Sequence, residues 1–335
     1  MPTPVNPPSM GPMSGPMWMP TDSPTLARLL EWHPQPIPVL PALVLILLVS
    51  YLVGIVRLHR RGDHWPVSRT IAWILGVVSI LLMTATGIDG YGMELFSVHM
   101  VQHMVLSMGS PILIVLGAPV TLALRTLPAR RGGLWNARKL LLAALHSRVA
   151  RFVTHPAVTV TLFLGSLYGL YFTPLFDDLM STWWGHNLML IHFLLIGALY
   201  FWNVIGIDPS PRSHAKRSLP VPVARIFEVA VTIPFHAFFG VVVMMSVSLI
   251  VGFYRQPMWA IVPVKDQALG GGIAWGFTEI PTLAVLAVLF SQWQKSETRR
   301  TRQRDKKADG DDEAELVEYN RRLADLTAHD SRGVG

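Results

Sequence analysis

No cysteine occurs among the 335 residues, and only 15% of them are charged. The first absence excludes disulfides, thioredoxin-like redox chemistry and thiolate metal sites together, so any transition-metal site has to draw on His, Met, Asp or Glu. The second excludes an ordinary soluble chain, whose charged share is about 25%. No internal repeat stands out. The start of the chain lacks a basic n-region followed by an apolar run, so the N-terminus reads as retained rather than cleaved as a signal peptide. Three connecting stretches are almost free of positive charge: 89–93 and 175–185 hold no Lys or Arg, and 253–270 holds only Arg255 and Lys265.

What fills the chain instead is apolar, 51% of it. The apolar residues come in blocks of about 20, the length that carries a helix across about 30 Å of hydrocarbon. Spans are expected at 37–57, 68–88, 94–124 with a kink at Pro111, 156–174, 186–207, 223–252 and 271–293. The predicted fold class is all-α, a polytopic transmembrane bundle of about seven helices. The net charge of +7 and pI near 9.9 do not read as a nucleic-acid footprint, because Lys and Arg sit in short stretches between apolar blocks. Arg57, Arg60, Arg61 and Arg69 occupy one loop. Arg125, Arg130, Arg131, Arg138, Lys139, Arg148 and Arg151 occupy a second, and Arg212, Lys216, Arg217 and Arg225 a third. By the excess of positive charge on the cytoplasmic side these loops face inward, which puts the N-terminus outside and the C-terminus in the cytoplasm.

Three regions follow: a disordered Pro/Met-rich extracytoplasmic segment over 1–36, a membrane domain over 37–293, and a charged cytoplasmic tail over 294–335. The first holds ten prolines and the methionines Met1, Met10, Met13, Met17 and Met19. Residues 134–152 mix apolar and basic positions in the manner of an interfacial helix. Leu316, Tyr319, Leu323 and Leu326 recur at helical spacing in the tail, a surface for anionic lipid or a partner.

Ionisable groups inside spans are costly and mark function. His99 and His103 lie four apart in ELFSVHMVQHMVL, so both imidazoles share one helix face, roughly 9 to 15 Å below the outer surface. They form a metal half-site, with bundle hydrogen bonding as the bland alternative. In the fifth span His192 is the better ligand candidate and His186 reads as a surface residue beside Trp183 and Trp184. Glu279 lies about 12 Å down the seventh span. His236, as readable as structural as ligating, and Met244, more often a packing residue, complete the candidate set. Asp89, Glu94, Asp177 and Asp178 would make an acidic outer mouth. Imidazole and thioether ligands without thiolate favour copper, as Cu(I), over zinc or magnesium.

Three stretches carry a family resemblance: HMVQHMVLSMGSPILIVLGAPVTLALR, HFLLIGALYFWNVIGIDP and GGIAWGFTEIP. Over roughly 37–293 the chain resembles the CtaG family of caa-type cytochrome c oxidase assembly factors. The resemblance implies a multi-pass protein of the bacterial plasma membrane, not an enzyme, that helps mature the copper-containing subunit I of a terminal oxidase. Copper delivery to that subunit is its expected role. His99 and His103 are the most characteristic residues by motif, with His192 and Glu279 next. Some related chains join this module to a CopD-like copper-resistance domain, which this chain is expected to lack.

Other readings stay open at this point. A pair of facing histidines would also suit a haem b or quinone oxidoreductase, and the methionines a copper permease. A metal-free scaffold that binds oxidase subunits would use the histidines only as bundle contacts. A homodimer is compatible with each.

Overall fold

The computed structural model describes residues 14–128, 136–211, 221–256 and 258–330. Met1, Met10, Met13, Arg130, Arg131, Arg212, Lys216 and Arg217 lie outside the described residues. Those described are helical apart from connections and two isolated bridge pairs, Ser14 with Thr182 and Trp32 with Thr86. Two compact units are present, one ending at Val285 and the other covering Leu286–Gly335.

In the first unit the helices are α1 Leu26–Leu30, α2 Val39–His59, α3 Val67–Thr84, α4 Gly87–Glu94, α5 Phe96–Met104, α6 Ser110–Leu116 and α7 Pro119–Thr126, then α8 Ala137–His146, α9 Arg148–Val153, α10 Pro156–Tyr171, α11 Leu175–Met180, α12 Trp183–Ile205 and α13 Val221–Met245, with α14 opening at Pro263. Six segments are long and apolar enough to cross a membrane: α2, α3, Phe96–Thr126, α12, Val223–Met245 and Pro263–Lys306. The apolar α10 has 16 residues, about 24 Å at 1.5 Å per residue, and brings the bundle to about seven helices. The bundle carries apolar residues outward as well as inward: Ile46, Leu195, Phe238 and Ile280 are all more than 60% exposed. In water that surface would be a large penalty, and in hydrocarbon it costs nothing.

The third span departs from a plain helix at three points. Pro111 has no N–H and its ring crowds the carbonyl four residues back, that of Ser107. The chain answers with a π-turn over Val105–Gly109, which opens the hydrogen-bond ladder just ahead of the proline. Further on, Ala118 adopts a left-handed φ of 51° before Pro119 restarts the helix as α7. The expected kink is thus a π-turn followed by a break.

The boundaries shift elsewhere. α13 stops at Met245 rather than 252, and α14 begins at Pro263 rather than 271. Residues 89–93, expected as an outer loop, lie within α4, all eight residues of which are buried. Residues 14–36, expected to be disordered, instead form a strap over α4. Trp18 stacks on His33 at 3.8 Å and its backbone N–H donates to Gln35 Oε1 at 2.8 Å. Tyr91 donates to the Asp22 carbonyl, and Trp259 to that of Thr21. Gly87 and Gly90 give the room for this: a side chain at either would run into the Arg28 carbonyl or the Trp18 ring. The prolines confine regular structure in the strap to the short α1, and its aromatics supply tertiary partners.

In the second unit α14 continues as a charged helix to Asp330, with Arg322 and Glu318 paired at 3.4 Å. Leu316, Tyr319 and Leu323 stand exposed along it, as the helical spacing anticipated.

Candidate functional site

His99 and His103 do share one face of α5, with ring centroids 6.5 Å apart and both side chains buried. His99 Nε2 meets the Tyr171 hydroxyl of α10 at 2.8 Å, while its Nδ1 has no partner among the described residues. His103 packs edge-on against Phe193 of α12 at 3.8 Å, and its Nδ1 is likewise without a partner.

One helical turn beyond His103 lies Ser107, inside the π-turn, whose buried Oγ also has no partner. These two residues line a cavity of about 10 Å3 together with Ser166 of α10 and His236 of α13, walled by Phe163 and Phe193. That is room for about one water or one metal ion. His236 is itself buried, its ring stacked obliquely on Phe163 at 5.0 Å. The π-turn is held against α12 at Gly197, where any side chain would collide with the Ser107 carbonyl.

A second polar cluster sits nearer the strap. His186, expected at the surface, is fully buried. Its Nε2 lies 3.1 Å from Asp89 Oδ1 and its Nδ1 3.4 Å from Met180 Sδ. Asp89 Oδ1 also accepts from Gln102 Nε2 at 2.7 Å, and the same amide nitrogen donates to the Met83 carbonyl at 2.8 Å. Asp89 is therefore an internal acceptor rather than part of an open acidic mouth. Asp177 is committed similarly, accepting from the backbone N–H groups of Gly252 and Phe253 at 3.2 and 3.0 Å. Asp178 is exposed. Glu94 closes α4, ahead of the span that begins at Phe96, and burial raises its carboxyl above the usual carboxylate range, offset in part by a hydrogen bond from the Met258 backbone.

The remaining candidates do not join either cluster. His192 is on the exposed side of α12, one position off the inward face that carries Phe193. Glu279 is exposed on α14, where its neighbour Thr278 turns inward and donates to the Ala274 carbonyl at 2.6 Å. Met244 lies at the close crossing of α13 and α14, beside Gly271 and Gly272. Among the described residues, no three His, Asp or Glu side chains converge as a metal group. Sequence reasoning placed Asp89 in an outer mouth and His186 at the surface, and passed over Met180 and Tyr171. The small residues Gly185 and Gly197, which mark the inward face of α12, were the available signal for His186.

Comparison with known proteins gives one family and a few relatives. The family described as cytochrome c oxidase caa3 assembly factor (Caa3_CtaG) matches residues 49–296. An uncharacterized protein of Mycobacterium bovis and one of Mycobacterium tuberculosis are each 44% identical over 310 residues, covering 91% of this chain and 46% of their own length. A further one from Mycobacterium leprae is 43% identical over 293 residues, 85% of this chain and 43% of its own length. The chain thus spans a little under half the length of the curated relatives it matches. No solved structure matches.

Proposed function

The chain belongs to the family of cytochrome c oxidase caa3 assembly factors, and from that premise we propose that it is a bacterial plasma-membrane protein that holds Cu(I) for insertion into the haem-copper subunit of a terminal oxidase. The observation that carries this reading is the small cavity between His103 and His236, where the buried His103 Nδ1 and Ser107 Oγ have no partner. A buried polar group without a partner costs about 1–3 kcal/mol. A ligand that used these groups would recover that cost. Two imidazoles offer a soft monovalent cation suitable donors, and the apolar walls keep water from competing. Copper here is cargo, and the partner that would accept it is subunit I or another oxidase subunit within the same bilayer.

A second reading is favoured by a different observation. No three His, Asp or Glu side chains converge among the described residues, and His99 already bonds Tyr171. A scaffold that binds oxidase subunits and no metal would need nothing more.

The test is copper content under reducing conditions in the detergent-purified full chain, beside a His103→Ala/His236→Ala variant of equal thermal stability. An absorption spectrum of each sample checks for haem. About one copper per chain that the variant lacks, with no Soret band, supports copper handling. Negligible copper in both moves the assignment to the scaffold, and a Soret band moves it to a haem protein.

A further inference from the structure

His186, Asp89 and Met180 form a buried constellation that the cavity at His103 does not use. All three are no more than 2% exposed. The turn between α11 and α12 creates it. Thr182 caps Gly185 N at 3.1 Å, and Gly185 has no room for a side chain beside the Leu179 carbonyl, so Met180 is folded back onto the first turn of α12.

The hydrogen-bond inventory of the ring is then constrained. A neutral imidazole has one N–H and one lone pair. If Nε2–H donates to Asp89, as the 3.1 Å contact allows, Nδ1 turns its lone pair toward the Met180 sulfur 3.4 Å away. A thioether has no hydrogen to give. Two electron-pair donors would face each other in a buried interior, a repulsion that a bridging cation relieves. The surroundings match what metal sites use: a ligating His whose other nitrogen is held by a carboxylate, itself fixed by a further hydrogen bond, here from Gln102.

We propose that His186 Nδ1 and Met180 Sδ form a second metal site, selective for a soft monovalent cation such as Cu(I) or Ag(I), separate from the His103–His236 cavity. Thioether with imidazole disfavours zinc and magnesium. The strap covers this end, with Ser14 paired to Thr182 and its carbonyl accepting from Trp183 N, one turn above His186. The site rests on the copper reading for the identity of the metal alone, because its donors are distinct.

The experiment is titration of the detergent-purified full chain with Ag(I), followed by NMR of 13C-methyl-labelled methionine, and X-ray absorption of the Cu(I)-loaded protein. Wild type is expected to show one methionine methyl resonance shifting and one sulfur neighbour at the metal. Met180→Leu, which conserves core volume, is expected to lose that resonance, the sulfur neighbour and one equivalent of metal. His103→Ala/His236→Ala is expected to keep all three. A sulfur neighbour that persists in Met180→Leu overturns the proposal, and so does metal bound through nitrogen alone in wild type. If Met180→Leu loses its equivalent while the double variant loses none, this site stands and the cavity reading falls. No binding of either ion overturns both.

Discussion

The carbonyl oxygen of Ser107 rests against the bare α-carbon of Gly197. Any β-carbon at that position would collide with the carbonyl and come within 2.8 Å of Pro111 Cγ. Gly197→Ala is therefore expected to destabilise the bundle by about 1–3 kcal/mol, the usual cost of overpacking. A thermal-unfolding series in detergent checks this. An unchanged midpoint would mean that α12 does not press on the π-turn.

Asp208 acts at the opposite end of the same helix pair. Its carboxylate accepts from Val120 N at 3.0 Å and Thr121 N at 2.8 Å, capping α7, which follows the left-handed Ala118 and has no local cap. Asp208→Ala is expected to cost about 0.5–2 kcal/mol, with Asp208→Asn recovering part of it. Hydrogen exchange over 119–126 should speed up in the alanine variant and not over α5.

Glu94 gives stability a dependence on pH. Because burial raises its carboxyl above the ordinary value of 4.5, the folded state holds the proton more tightly than the unfolded chain does. Its contribution is then fully present below about 4.5 and is lost as pH climbs through the raised folded value. The difference in unfolding midpoint between wild type and Glu94→Gln should fall with rising pH across that window. A difference that is flat with pH would contradict the assignment.

His192 and Glu279 serve as negative controls for the metal sites. Both are exposed. His192→Ala and Glu279→Gln are expected to leave copper content unchanged. Loss of copper in either would place a ligand outside the two clusters described.

Much of this was readable from the sequence, and the errors share a cause. Apolar block length placed the spans, and the four-residue spacing placed His99 and His103 on one face. Rotational phase was harder to read, because a span such as α12 is apolar nearly all round and only its small residues hint at the inward face. His186 and His192 differ in azimuth by about 120°, which decides buried against exposed. That choice is made by Gly185, Phe193 and Gly197, whose partners lie on other helices. The strap was misread for a related reason: proline-rich composition describes local structure, whereas Tyr91 and Trp259 bind it through contacts far along the chain.

The π-turn has one more consequence, concerning insertions and deletions. A π-turn amounts to one extra residue carried by an α-helix, so losing a residue between Val105 and Gly109 would let the ladder close as regular α-helix. The flanks would keep their phases, with His99 still facing Tyr171 and Pro119 still beginning its own helix. Lost would be the carbonyl seated on Gly197 and the wall that Ser107 gives the cavity. Such a deletion would leave a protein that inserts and packs much as before while its interior site is gone, a lesion invisible to expression level and legible only in what the protein carries.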